Sequence, residues 1–360
     1  MTVGARRCLA LGDPPGRPYR RDNNLMPRTI TAQNLQALID ALVGAGIRVV
    51  GPKRVDTLCL YAPLANGEEL ELNEQPRRSA KEAFFPPCEE ILSFERQGAN
   101  TSVRDPDLSR LPATVLIGLR PCDAAAPEIL DAVFSWDYQD DFFLERRRKT
   151  TIVGIACTRA DDACFCTAVG LAPDCRDGSD LFLIPLEGGG YAAEALTDKG
   201  AALLERHAEL FTQAESAPRL PLAEPRAAEL DLTKIKAWLD GHFESPFWRE
   251  IAAHCIGCGA CAFLCPACHC FDIVDEGSEA KGCRRKSWDA CGFGKFTLHA
   301  SAHNPRDAQA NRYRNRIMHK FKYYHDKFGR TLCTGCGRCI RACPVGIDLA
   351  AVLEDINNNG

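Results

Sequence analysis

The stretch that decides the fold is CIGCGACAFLCPACHC, which runs from Cys255 to Cys270 and contains six cysteines. Its first four cysteines and Pro266 have the spacing C-x2-C-x2-C-x3-C-P, the bacterial ferredoxin pattern for a [4Fe–4S] cluster. We call residues 255–266 the first motif. Residues 265–269 also spell C-x-x-C-H, the attachment pattern for c-type haem. The rest of the sequence has to decide between these two interpretations.

Cysteine usage and the start of the chain favour the cluster. The chain has 360 residues and 20 cysteines, with 46% hydrophobic and 26% charged residues and a net charge of −4. The small net charge indicates no polyelectrolyte partner. The first residues lack the apolar core of a secretory signal, so we expect a cytoplasmic protein whose clustered cysteines bind metal. Haem c is attached outside the reducing cytosol, and we therefore interpret the haem pattern as a coincidence.

A second copy of the ferredoxin pattern supports the same choice. CTGCGRCIRACPVGID, residues 333–348, repeats the spacing and the trailing proline. We call residues 333–344 the second motif. Structural zinc sites favour paired C-x2-C units, which differ from the C-x2-C-x2-C-x3-C-P spacing found here. Two copies of this spacing therefore predict two [4Fe–4S] clusters.

The spacing also predicts which thiols share a cluster, because in two-cluster ferredoxins the fourth cysteine of each motif binds the other cluster. Cluster 1 is predicted to be bound by Cys255, Cys258, Cys261 and Cys343. Cluster 2 is predicted to be bound by Cys333, Cys336, Cys339 and Cys265. Glycines at 257, 259, 335 and 337 lie between the cysteines, where a loop around an inorganic core needs positive φ. Such a pair of clusters transfers single electrons.

The segment between the motifs is basic and rich in tyrosine from Arg306 to Arg330. One interpretation is a nucleic-acid surface, which would make the chain a zinc-stabilised nucleic-acid-binding module. The interpretation we favour is charge balance for the anionic clusters, together with a docking surface. Four further cysteines have no standard spacing, and their role stays open: Cys268, Cys270, Cys283 and Cys291.

The first half of the chain has a different pattern. Residues 29–43 predict a helix, and TVLIGLRPCD (114–123) and TIVGIACTRADDACFC (151–166) each begin with a buried strand. A helical pattern over 124–134 separates the two strands and predicts a βαβ unit with a parallel pair. The predicted fold class is an α/β N-terminal domain with a short parallel sheet, followed by a mostly helical dicluster ferredoxin-like domain.

The ends of these two strands hold cysteines. Parallel strands deliver their carboxyl ends to one edge of a sheet, so Cys122 and Cys157 should meet there. The following loop returns Cys164 and Cys166, and we expect the four thiols to bind a third [4Fe–4S] cluster, with Cys175 as a reserve ligand. The alternative is a group of inert buried thiols.

Composition divides the chain into four parts. Residues 1–28 are predicted to be a disordered arm, and 29–217 the α/β domain. Residues 218–245 read as a proline-rich linker and a short helix. The two-cluster domain is expected over 246–360.

Several segments occur together with the two motifs in one order: LRPCDAAA, VGIACTRADDACFC, CPACHCFDIVDE, WDACGFGKFTLHASAHNPR and HKFKYYHDKFG. This set resembles the iron–sulfur beta subunit of cytoplasmic NAD(P)-linked [NiFe] hydrogenases, or sulfhydrogenases, and is similar to the corresponding iron–sulfur subunit of anaerobic sulfite reductase. The resemblance covers residues 30–352.

The resemblance implies an electron relay within a heteromeric oxidoreductase complex. Its implied partners are a flavin subunit that handles NAD(P)H and a catalytic metalloenzyme subunit, of hydrogenase or sulfite reductase type. The sequence itself shows no flavin motif and no catalytic constellation, so we expect the chain to be non-catalytic on its own.

Overall fold

The computed structural model describes residues 28–213 and 219–359. The predicted disordered arm therefore lies outside the described residues, except for Arg28, which begins the first strand. The described strands are β1 (Arg28–Ile30), β2 (Arg48–Val55), β3 (Leu58–Pro63), β4 (Cys88–Gln97), β5 (Asn100–Arg104), β6 (Thr114–Leu119), β7 (Thr150–Ile155), β8 (Leu181–Pro185), β9 (Tyr191–Ala195), β10 (Thr212–Gln213), β11 (Phe271–Gly277) and β12 (Lys281–Trp288).

The α-helices are mostly short. They are α1 (Ala32–Gly44), α2 (Pro121–Ala124), α3 (Ala126–Phe134), α4 (Asp141–Arg148), α5 (Asp198–Arg206), α6 (Leu232–Gly241), α7 (Phe247–Ile251), α8 (Ala260–Phe263), α9 (Gln309–Met318), α10 (Tyr324–Phe328), α11 (Arg338–Arg341) and α12 (Leu349–Asn359). A π-helical turn, His319–Tyr323, joins α9 to α10. Among the described helices, none combines the length and the apolar character that crossing a bilayer requires.

The larger sheet has eight strands in the order β10-β1-β9-β8-β7-β6-β2-β3. Its centre is parallel, since β2, β6, β7 and β8 run in one direction, and the flanking strands are antiparallel. The parallel pair β6–β7 and the intervening α3 confirm the predicted βαβ unit. All six residues of β6 are buried, which is why the sequence shows a continuous apolar run there.

Helix α1 packs on this sheet through Leu35, Leu38, Ile39 and Leu42. The helix begins later than residue 29, because Thr31 is its N-cap and accepts a hydrogen bond from the backbone N–H of Asn34 at 3.0 Å. The two preceding residues instead pair in β1 with β9.

A second sheet joins the two halves of the chain. Its order is β11-β12-β4-β5, and β12 pairs antiparallel with β4 over Lys281–Ser287 and Cys88–Glu95. The expectation of a mostly helical second half omitted this hairpin, β11–β12. Its alternating polar residues gave no continuous apolar run, and its partner strand lies nearly 200 residues earlier in the sequence.

The helices of the second half surround a separate core. Side chains of α6, α9 and α12 meet in it, with Ile235, Leu239, Ile317, Leu353 and Ile356 fully buried. Helix α6 confirms the helix expected after the proline-rich segment. The division of the chain into domains remains a prediction.

Candidate metal centres

The thiols of the first motif line one pocket. Cys255, Cys258 and Cys261 face it, and Cys343, the last cysteine of the second motif, lines it as well. The loop reaches this arrangement through Gly257 and Gly259, whose φ values are +67° and +75°. The structure therefore brings together the four cysteines predicted for cluster 1. Cys291 and Cys339 also line this pocket.

The cysteines predicted for cluster 2 lie beside one another as well. The thiols of Cys265 and Cys336 are close enough to the thiol of Cys333 to interact with it electrostatically. The thiols of Cys265, Cys333 and Cys336 interact in the same way with the thiol of Cys339. Burial raises the pKa of Cys333 and raises that of Cys339 to about 12. The free thiols of Cys333 and Cys339 therefore stay protonated at neutral pH, and a metal has to displace their protons on binding.

Two buried cations lie against these thiols. Arg316 is 5% exposed, and its Nη1 lies 3.6 Å from Cys268 Sγ. Lys320 is 2% exposed, and its Nζ donates to Cys265 Sγ at 3.3 Å and to the Leu332 carbonyl at 2.7 Å. Burial alone would lower the pKa of Lys320, but the neighbouring thiols raise it above its usual value. Part of the positive charge of the basic segment 306–330 is therefore buried in the protein interior, beside the thiols.

The environment of Arg316 gives a test of whether an iron–sulfur cluster fits. Its Nη2 is buried and has no hydrogen-bond partner in the described part of the chain. A buried guanidinium needs an anionic acceptor. The thiolates and sulfides of a cluster supply that acceptor, so the residues present fit the group.

A single metal ion, unlike a cluster, requires several ligand side chains close to one point. Within residues 28–213 and 219–359, no group of three or more Cys, His, Asp or Glu side chains lies close enough together to bind one ion. A cubane spreads its ligands more widely, because each thiolate binds a different iron. What the residues offer is a thiol-lined pocket rather than a compact tetrahedral site.

The third predicted group forms at the expected edge of the large sheet. Cys122 follows β6 in α2, and Cys157 follows β7. The thiol of Cys166 is close enough to those of Cys122, Cys157 and Cys164 to interact electrostatically with each. Burial raises the pKa of Cys166 to about 12. Cys175 is buried in the same apolar cluster as Cys166.

This third group is in backbone contact with the second motif. The N–H of Phe165 donates to the Gly335 carbonyl at 2.9 Å. A Cβ on Gly335 would lie 2.5 Å from the Cα of Cys166, and one on Gly337 would lie 2.4 Å from the carbonyl oxygen of Ala163. Both glycines also have positive φ, so only glycine allows the two loops to approach this closely.

A buried ion pair fixes the same contact. Arg338 of the second motif donates to both carboxylate oxygens of Asp123 at 2.7 and 2.8 Å, and both side chains are buried. Tyr61 donates to the same carboxylate at 3.0 Å. Asp123 directly follows Cys122, and the thiols of Cys122 and Cys336 interact. The α/β region and the second motif are thus held in one orientation.

Other cations near the thiols could not be found from the sequence. Arg120 donates to Cys157 Sγ at 3.1 Å, and Arg341 donates to Cys164 Sγ at 3.3 Å. Lys81 donates to the Cys268 carbonyl at 3.0 Å across 187 positions of sequence. The one available signal was the basic character of the segment 306–330, and Lys81 lies outside it.

Comparison with known proteins agrees with these features. Residues 254–347 match the family model described as a 4Fe–4S dicluster domain. The chain is 29% identical over 318 residues to "Sulfhydrogenase 2 subunit beta" of Pyrococcus furiosus, which covers 86% of this chain and 92% of the relative. No solved structure matches the chain. The resemblance seen in the sequence is therefore confirmed: the chain contains a 4Fe–4S dicluster domain and is similar over most of its length to a sulfhydrogenase beta subunit.

Proposed function

We propose that this protein is an electron-transfer subunit that relays single electrons through [4Fe–4S] clusters within a heteromeric oxidoreductase complex. The observation that supports this most is the continuity of the thiol groups. The pocket of the first motif shares Cys339 with the second motif, and the second motif contacts the loop that holds Cys166. Clusters bound at these places would lie in series.

The proposed ligands are those predicted from the spacing. Cys255, Cys258, Cys261 and Cys343 bind cluster 1, and Cys333, Cys336, Cys339 and Cys265 bind cluster 2. Bound clusters supply one-electron redox chemistry. The chain supplies the thiolates, the buried cations Arg316 and Lys320, and a fixed spacing between the sites.

A third [4Fe–4S] cluster bound by Cys122, Cys157, Cys164 and Cys166 belongs to the same proposal. It would extend the relay from the dicluster region to the edge of the large sheet. The partners that we propose follow from the sulfhydrogenase resemblance: a flavin-containing subunit that handles NAD(P)H at one end, and a catalytic metalloenzyme subunit at the other.

The basic segment argues for a relay rather than for a nucleic-acid-binding module. Arg314, Arg316 and Lys320 are all buried, so they are not available to phosphate groups at a surface. Arg314 donates to the Phe243 carbonyl at 2.9 Å and to Glu244 at 3.1 Å. These cations therefore serve internal charge balance.

The third cluster is tested by iron counting on the full chain purified without oxygen. The double variant Cys122→Ser/Cys166→Ser should lose about four irons per chain, while the two-cluster signals remain. The control is Cys59→Ser, because Cys59 is buried in β3 and burial raises the pKa of its thiol to about 11. An iron content equal to that of the control would remove the third cluster and leave the two-cluster relay intact.

A further inference from the structure

One face of helix α9 lines the pocket that contains the thiols of the first motif. Gln309, Arg312, Tyr313 and Arg316 all line this pocket, and the spacing i, i+3, i+4, i+7 places them on one side of the helix. Gln309 is the first residue of α9 and is half-buried. The helix therefore brings an amide and two guanidinium groups to thiols that lie far from it in the sequence.

The amide of Gln309 is hydrogen-bonded to one of these thiols. Its Nε2 donates to Cys255 Sγ at 3.1 Å, across 54 positions of sequence. On the same side, a Cβ on Gly257 would lie 3.0 Å from Gln309 Oε1, and the φ of +67° at this position also favours glycine. The loop of the first motif therefore lies directly against the amide, and a side chain at position 257 would crowd it.

Arg312 determines which end of the amide faces the sulfur. Its Nε donates to Gln309 Oε1 at 2.9 Å, so the amide oxygen faces the guanidinium and the amide nitrogen faces Cys255. The guanidinium is itself held in place, because Nη1 donates to the carbonyls of Arg306 at 2.7 Å and Asp307 at 2.6 Å. A rotated amide would point its N–H groups at a cation that has no acceptor. The contact with Arg312 therefore fixes a donor against the sulfur.

The second motif has a different donor at the corresponding place. Cys333 is the first cysteine of that motif, as Cys255 is of the first, and it accepts from the backbone N–H of Gly335 at 3.5 Å. Gly335 packs against the Cα of Cys166, where Gly257 packs against Gln309. Replacing Gln309 therefore removes a donor at the first motif and leaves the contacts of the second motif in place.

We propose that Gln309 raises the reduction potential of cluster 1 through its hydrogen bond to Cys255, with Arg312 as the positioning residue for the amide. This inference rests on the function proposed above. A reduced cluster carries one more negative charge than the oxidised cluster, and a hydrogen bond to a ligand sulfur is stronger when the sulfur carries more charge. The amide therefore stabilises the reduced form more than the oxidised form, and hydrogen bonds to the sulfurs are among the factors that set cluster potentials.

The test is an EPR-monitored redox titration of the full chain purified without oxygen. In Gln309→Leu we expect one potential to fall, with reduction about tenfold less favourable, or about 59 mV for one electron, and the other potential to stay unchanged. Gln309→Glu keeps the length of the side chain and an acceptor for Arg312 but has no N–H, so it should lower the same potential even if leucine disturbs folding. The control is Gln97→Leu, the same exchange at the exposed end of β4, which should move neither potential.

Two further measurements separate the hydrogen bond from a general effect on structure. In protein labelled with 15N at the side-chain amide of glutamine, electron–nuclear double resonance should detect coupling of a 15N nucleus to a reduced cluster, and Gln309→Leu should lose it. Arg312→Ala should lower the potential more in the wild-type chain than in Gln309→Leu, because the leucine variant has no amide for Arg312 to orient.

Unchanged potentials in both Gln309 variants would overturn the proposal, and so would a wild-type spectrum without the 15N coupling that Gln309→Leu is expected to lose. Iron and sulfide are counted in the same samples. A full count with unchanged potentials would refute the role of Gln309 alone, whereas a wild-type chain without iron would refute the relay as well.

Discussion

Replacing Arg316 with methionine should lower the reduction potential of the clusters. The guanidinium is buried among the thiols of both motifs, since Cys261, Cys268 and Cys339 all act on it. Adding an electron makes a cluster more negative, and a nearby positive charge favours that step. Removing the charge therefore makes reduction harder.

The magnitude follows from Coulomb's law. For charges about 5–10 Å apart, an effective dielectric constant of about 20 gives an interaction of about 1.7–3.3 kcal/mol. For a one-electron couple this energy corresponds to a decrease of about 70–140 mV. The assay is an EPR-monitored redox titration of the anaerobically purified protein.

Two matched variants separate charge from packing. Arg316→Lys keeps the positive charge and should shift the potential less than methionine does. Arg314→Met removes a buried cation from the same helix, but that cation contacts Phe243 and Glu244 rather than cysteines, so its potentials should stay close to wild type. If Arg316→Met retained both clusters with unchanged potentials, the assigned role of Arg316 would be wrong.

Three further results are expected. Cys343→Ala should perturb the cluster at the first motif and leave that of the second motif intact by EPR, and the reverse pattern would contradict the exchanged ligand. Asp123→Asn should lower the free energy of unfolding by about 3–5 kcal/mol, since it leaves the buried Arg338 without its carboxylate; Asp275→Asn, which breaks an exposed pair, should change it far less in the same denaturant titration. Burial lowers the pKa of His319 to about 3, whereas the unfolded chain protonates this ring below about 6.5. The stability of the folded chain should therefore fall as the pH decreases from 6.5. Thermal melts of His319→Gln should show a weaker dependence of the melting temperature on pH, and an unchanged dependence would contradict the role of His319.

Local patterns predicted the parts of the fold that depend on nearby residues. The apolar runs of β6 and β7 and the helix between them are such parts, as is the position of Cys122 and Cys157 just after these two neighbouring strands. The sequence pattern did not predict the β4–β12 pairing, because nothing in two half-exposed strands far apart in the sequence indicates that they pair with each other.

The candidate site shows the same division. The spacing of the proposed ligands follows from the sequence alone, because three thiols of each motif lie on one tight loop. Lys81 reaches the Cys268 carbonyl, and Arg338 reaches Asp123 beside Cys122, only through tertiary packing, so no spacing predicts either contact. The backbone hydrogen bond from Asp289 to the Cys270 carbonyl likewise depends on the hairpin register, which a single sequence does not specify.

The central claim is that the two motifs bind [4Fe–4S] clusters. It is tested most directly by measuring iron, acid-labile sulfide and zinc per chain in protein purified without oxygen. Two clusters require about eight irons and eight sulfides, and a third raises each number to about twelve. Stoichiometric zinc with little iron or sulfide would contradict the claim.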